Sequence, residues 1–270
     1  MAQEKKSKGI PAFTMIVIVA AIAVGYLIYY GILGNGSNFE GNNHDNKPLA
    51  GNFLAIMFKG GSIVPWLIGI LLIIITFAIE RSLTIINASG KGSVNTFVKK
   101  VREMLSNGKI SEAIAECDKQ RGSVANVIRT GLVKYEQVES NSSMDKEEKI
   151  AAIEKSLEEA TTLELPMLSK NLVIMSTCAS ISTLVGLLGT VLGMIKAFAA
   201  LAQAGAPDAI GLANGISEAL INTGLGIFAA ALGIVAYNVF TNLIDTLTYG
   251  MDEAGFSIVQ TYSSSHNKER

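Results

Sequence analysis

Glu218 is the only charged side chain between Asp208 and Asp245, inside a long apolar run. A charge at the centre of a membrane helix costs about 2.5 to 3.5 kcal/mol on insertion scales, so this carboxylate must face a bundle interior or water. So placed, it suits a proton relay or the lining of a pore. The plainer alternative is a helix-packing carboxylate near a mouth. Asn222 follows one helical turn later on the same face, and Thr223 opens the neighbouring face. Upstream, Ser176, Ser180, Thr183, Leu187 and Thr190 recur at spacings of three, four and seven, which places them on one face of another apolar helix. Hydroxyls in such a stripe either face something other than lipid, where they donate and accept without being charged, or bond the carbonyls of their own helix. Gly186, Gly189 and Gly193 cost helix propensity in water, yet small residues let membrane helices approach closely. The pairs Gly226 with Ala230 and Ala229 with Gly233 serve the same end. Lys196, near one end of its apolar run, reads as a snorkelling anchor.

The elements that must carry these residues are membrane helices. The chain has 270 residues, 49% of them hydrophobic, a net charge of -1 and a mean hydropathy of +0.39, which excludes an ordinary soluble domain and gives no footing to a nucleic-acid partner. Cys117 and Cys178 form neither a disulfide framework nor a CxxC redox site, and His44 and His266 have no partner at ligand spacing, so no metal site is expected. The glycines and lysine of residues 90–93 lack the upstream glycine of a phosphate loop, and no nucleophile elbow occurs. No catalytic residue and no cofactor are expected.

In chain order, Lys5, Lys6 and Lys8 precede a first apolar segment within residues 1–33. A signal peptide has a shorter apolar region, of about 7 to 15 residues, so length favours a retained helix over a cleaved one, and either puts the next segment outside. Residues 34–62 read as an exported loop with a short interfacial helix around 53–58, and residues 63–80 as a crossing that starts with Pro65 and Trp66 at an interface. Residues 81–170 turn charged and amphipathic and hold most of the lysines and arginines, which marks them as cytoplasmic. Four helical faces appear there: Val94 to Leu105, stopped by Asn107-Gly108; Ile110 to Cys117; Val124 to Tyr135; and Ile150 to Leu157, before an interruption at Pro166. They are too narrow for a free-standing domain and are expected to pack on one another and on extensions of the membrane helices.

Crossings at residues 171–202 and 210–245 come next, joined by a short exported turn at 203–209, and a tail at 246–270 starts as helix and ends as a disordered polar stretch from Ser263. Each of these two helices reaches about 45 Å or more at 1.5 Å per residue, against a hydrocarbon core of about 30 Å, so both should project into the cytoplasm. The fold class is an all-α integral membrane protein with four crossings and both termini inside.

The string Thr183-Leu184-Val185-Gly186-Leu187-Leu188-Gly189-Thr190-Val191-Leu192-Gly193-Met194-Ile195, followed by Gly215-Ile216-Ser217-Glu218-Ala219-Leu220-Ile221-Asn222-Thr223-Gly224-Leu225-Gly226 and Tyr237-Asn238, resembles the ExbB/TolQ/MotA proton-channel family, ExbB most closely. Ile79-Glu80-Arg81 and the stretches 108–117 and 125–132 add weaker support, and the likeness runs from Ile63 to Asp245. It implies an inner-membrane homo-oligomer, a pentamer, whose third and fourth crossings line a pore around an ExbD-like single-crossing subunit with a proton-binding aspartate. Thr190 and Thr223 match the pore-facing threonines, and Glu218 the glutamate that precedes the second.

The chain departs from the family at Ser182-Thr183, where Ala-Pro is usual, and in its additional N-terminal crossing. The implied work is to use proton-motive force, through a TonB-like protein, to energise outer-membrane transport, with membrane lipid as solvent. Tol-Pal envelope maintenance or surface motility are alternatives within the family. A passive membrane scaffold and a solitary solute transporter are rivals of another class, although no inverted repeat points to the transporter.

Overall fold

In a computed structural model of the chain, residues 12–202 and 208–265 are described. Lys5, Lys6, Lys8 and His266, and most of the turn at 203–209, lie outside them. The described residues form an all-α protein, and four helical runs are long and apolar enough to cross a membrane: Thr14–Leu33, and stretches within Gly61–Ser106, Lys146–Leu201 and Ala209–Ser265. The chain divides into two compact units, Met1–Ala78 with Val173–Tyr237, and Ile79–Leu172 with Asn238–Arg270.

In the first unit, α1 (Ala12–Ile28) is apolar throughout and widens into a π turn at Tyr29–Leu33, closed by Gly34 N–H donating to the Tyr29 carbonyl over 2.8 Å. It crosses α3 (Val64–Ser89) at bare backbone: a Cβ on Gly25 would sit 2.6 Å from the Pro65 carbonyl oxygen, and one on Gly69 3.1 Å from Ile22 Cα. Between them, residues 34–61 are folded rather than loose. Phe39 and Pro48 pair as an antiparallel bridge, and Asn52 caps the short α2 (Phe53–Phe58) by accepting from Leu54 and Ala55 N–H. Lys59 Nζ donates to the His44 and Asp45 carbonyls over 3.0 and 3.2 Å. Tyr29 fastens this cap to α1: its ring stacks on Phe58 at 4.6 Å, and its hydroxyl donates to the Phe58 carbonyl over 3.0 Å. Tyr29, Leu33, Val64 and Ile68 form a buried cluster, joined by Met57, Ile221 and Leu225.

Two further helices complete this unit, α8 (Leu172–Leu201) and the first half of α9 (Ala209–Ser265). α8 runs unbroken through Ser182-Thr183, because Thr183, unlike a proline there, keeps its backbone N–H, and Ser182 turns its hydroxyl onto the Ala179 carbonyl over 2.8 Å. α8 and α9 meet along a seam of small residues. A Cβ on Gly186 would lie 3.1 Å from Gly226 Cα, one on Gly193 2.7 Å from Ala219 N, and one on Gly215 2.6 Å from Ala197 N. Backbone therefore touches backbone, as small residues permit in membranes.

The second unit contains α4 (Val94–Ser106), α5 (Ile110–Gln120), α6 (Gly122–Glu139), α7 (Lys146–Ser169) and the end of α9. The faces expected from periodicity are the buried ones: Phe97, Val98, Val101 and Leu105; Ala113 and Cys117; Val124, Val127, Ile128, Leu132 and Tyr135; Ile153 and Leu157. They close on one another and on α9, where Tyr262 meets Tyr135 edge-on at 4.7 Å.

Two expectations need correction. Pro166 does not interrupt α7, which starts at an Asp145/Glu148 capping box and continues to Ser169. The last-turn carbonyls of Met167 and Leu168 accept from buried Arg81 over 3.2 and 3.1 Å, and the chain leaves the helix at Lys170, with ψ at 139°, and Asn171, with φ at +66°. Nor is the tail disordered from Ser263, because α9 continues to Ser265 with Ile258 and Tyr262 fully buried.

Candidate functional site

Thr190 and Thr223 arrive from opposite sides of the seam, because α8 and α9 run antiparallel and place residues at nearly equal distances from their connection side by side. Their hydroxyls hydrogen-bond to each other, and either oxygen can be the donor. Thr190 Oγ1 also lies 3.3 Å from the Gly186 carbonyl and 3.5 Å from the Ala219 carbonyl. Both side chains are half-buried. Two contacting hydroxyls share one donor position and keep lone pairs for a third group, and when Thr190 is the donor the Thr223 proton is kept for it too, so the pair can hold an acid, its conjugate base or water without ionising.

The other hydroxyls of the stripe behave differently. Ser176 and Ser180 donate to the Val173 and Ser176 carbonyls of their own helix over 3.0 and 3.1 Å, as the plainer alternative has it. Thr183 is half-buried two turns before Thr190, and Leu187 between them is 52% exposed. The stripe is thus only partly covered by its own chain.

Glu218 and Asn222 share the face of α9 that meets the end of the cap. Asn222 is fully buried, and its Nδ2 donates to the Gly60 carbonyl over 2.9 Å. A Cβ on Gly61, where φ is +75°, would stand 2.5 Å from Glu218 Oε1. The cap backbone is therefore pressed against both side chains, and only glycine fits there. Glu218 has 12% of its side chain exposed and accepts from Lys196 Nζ over 2.6 Å, with Lys196 57% exposed.

Thr190 and Thr223 form one centre, and Glu218 and Asn222 another, one turn closer to the start of α9. Sequence reasoning missed two partners. Lys196, read as an anchor, is the counter-ion of Glu218; the antiparallel register that joins Thr190 to Thr223 would have paired them. The bond from Asn222 to Gly60 spans 162 residues and leaves no periodic signal.

Residues 120–253 match the model of the MotA/TolQ/ExbB proton channel family. Over 89 residues the chain is 40% identical to a putative biopolymer transport protein ExbB-like 3 of Synechocystis sp., covering 32% of this chain and 42% of the relative. It is 31% identical over 118 residues to the Tol-Pal system protein TolQ of Pseudomonas aeruginosa, covering 44% and 51%. It is 29% identical over 191 residues to TolQ of Haemophilus influenzae, covering 69% and 83%. The chain thus spans about half or less of the first two relatives' length. The matched segment holds Thr183, Thr190, Glu218, Asn222 and Thr223, and with it residues 120–253 of this chain belong to the MotA/TolQ/ExbB proton channel family.

Proposed function

We propose that this chain is the channel-forming subunit of a proton-driven motor in a bacterial inner membrane. Residues 1–33, 63–80, 171–202 and 210–245 are its crossings, 34–62 and 203–209 face the exported side, and 81–170 and 246–270 face the cytoplasm. Four apolar helical runs support the crossings, and the exposed Tyr26, Tyr30 and Trp66, clustered at one end, suit an interfacial aromatic belt. The charged composition of 81–170 supports the orientation.

Copies assemble as a homopentamer around an ExbD-like partner helix bearing an aspartate. The uncovered apolar faces of α8 and α9, such as Leu184 and Leu220, at 64% and 68% exposed, leave room for neighbouring copies and lipid. A proton moving down 100 mV releases about 2.3 kcal/mol. The partner aspartate can use it only where polar groups accompany its change of protonation in an otherwise dry bundle.

The observation that carries this reading is the Thr190–Thr223 hydroxyl pair, set in the seam of the family segment. Thr190→Val and Thr223→Val, each reconstituted in vesicles with the partner and checked for assembly, should conduct far fewer protons; undiminished flux in both would remove the assignment. On this reading the client is TonB-dependent outer-membrane transport. The two TolQ relatives favour a second reading, Tol-Pal envelope maintenance, and the identity of the co-purifying partner decides between them.

A further inference from the structure

Beside Glu218 lies a cavity of about 660 Å3 with a mixed lining, apolar at Ile56 and Ile210 and charged at Glu40, Asp45, Lys47 and Lys59 of the cap and at Glu218 of α9, next to Ser217. A water occupies about 30 Å3 of liquid, and the charged walls supply the several hydrogen-bond partners that each ordered water needs, so the space is roomy and polar enough to be wet. Next to Glu218 the end of the cap is packed onto α9: Asn222 holds the Gly60 carbonyl, and the Gly61 backbone abuts the Glu218 carboxylate. Gly60 itself is wedged so tightly that a Cβ there would stand 2.5 Å from Val64 Cγ2 and 2.7 Å from Ile221 Cγ2. The cavity therefore reaches Glu218, and beside it the cap is tightly packed.

We propose that the cap formed by residues 34–61 builds a lateral, water-filled entrance through which protons from the exported side reach Glu218, between the cap and α9 and not along the axis of the assembly. The proposal rests on the proton-channel reading above. A proton delivered by cavity water adds to a Glu218 carboxylate oxygen, neutralises it and weakens its bond to Lys196; loss of the same proton restores the pair. Lys59, tied back to the His44 and Asp45 carbonyls, keeps its ammonium directed at the cap backbone, while Glu40 and Asp45 supply carboxylates along the wall.

The test uses the complete complex in vesicles, with Ser217→Cys exposed from the exported side to a membrane-impermeant, trimethylammonium-bearing methanethiosulfonate. The unsubstituted complex treated alike serves as the background for Cys117 and Cys178. The thiol should label, proton flux should fall roughly tenfold against the same protein before labelling, and a reductant should restore it. Complete labelling by mass with flux unchanged overturns the proposal, and so does a position 217 thiol that the reagent never reaches. Asn214→Cys, on the same wall, provides a second position should the first variant assemble poorly. A failure of the channel reading itself shows separately, as absence of flux in the unsubstituted complex before any reagent is added.

Discussion

Lys196 Nζ donates to Glu218 Oε1 over 2.6 Å, joining the last turns of α8 to the early turns of α9. The ammonium is more than half exposed and the carboxylate nearly covered, so the pair is partly screened and the acid is the member that needs its partner. A double-mutant cycle of Lys196→Met and Glu218→Gln, read by unfolding in detergent, should give a coupling of about 1 kcal/mol or less. Lys196→Arg should retain most of it. A coupling of zero within error would mean that the ion pair does not hold the two helices together.

The seam should tolerate no added methyl. At Gly193 a Cβ would meet Ala219 N at 2.7 Å and the Gly215 carbonyl oxygen at 2.8 Å, both backbone atoms that cannot swing aside. Gly193→Ala is expected to cost about 1 to 3 kcal/mol through overpacking. Gly224, with nothing within 4 Å of its would-be Cβ, is the control, and Gly224→Ala should stabilise by about 0.5 to 1 kcal/mol. Thermal unfolding of the two variants makes the comparison, and an equal loss at Gly224 would reveal a neighbour packed against it in the assembly.

Asn222 fastens the cap. Asn222→Leu leaves the Gly60 carbonyl without its donor, at a cost of about 1 to 3 kcal/mol for a buried unpaired acceptor. Amide hydrogen exchange over residues 53–63 should quicken while exchange in α6 stays as it was. Unaltered exchange in the cap would show that Tyr29 and Phe58 hold it without help from α9.

Arg81 is 2% exposed and holds the end of α7 through the Met167 and Leu168 carbonyls, with Glu80 as its counter-ion. Arg81→Ala would strip two carbonyls and a half-buried carboxylate of their donor at once, at a cost of about 1 to 3 kcal/mol for the acceptors left unpaired. Arg81→Lys keeps the charge but not the planar fork, and should recover only part of the loss. Limited proteolysis around 166–171 reads the result directly; resistance equal to that of the unsubstituted protein would contradict it.

Burial in α5 pushes the Cys117 thiol up to about 12. The thiol form therefore persists at neutral pH, and alkylation of Cys117 should keep pace with local opening of the helix and not with reagent strength. Because the folded value lies above the unfolded one, this group has no effect on stability well below pH 9.0 and destabilises the folded form as pH climbs from there toward about 12. Stability measured against pH should decline less steeply over that range in Cys117→Ala; an identical alkaline limb would rule out the thiol as a contributor.

Much of the scaffold was legible because burial writes a period into the chain. Val94 to Leu105 and Val124 to Tyr135 announce their buried faces, and Gly186, Gly189 and Gly193 announce a seam. Local rules failed where a distant residue overrode them. Pro166 reads as a breaker, yet α7 passes through it and ends only at Ser169, where Arg81 takes up two carbonyls of the last turn. Ser263 to Ser265 read as loose, yet the helix continues, carried by Ile258 and Tyr262 on its buried side.

By itself, then, the sequence determined an all-α chain with four membrane-length apolar runs, a hydroxyl-bearing stripe and a lone acid inside them, because hydrophobicity and helical period are properties of neighbouring residues. Only the tertiary structure decided that Thr190 meets Thr223, that Lys196 answers Glu218, and that Asn222 reaches back across the chain to Gly60. Those pairings depend on the register of an antiparallel hairpin and on where a folded cap comes to rest, and neither is written in the spacing along a single helix.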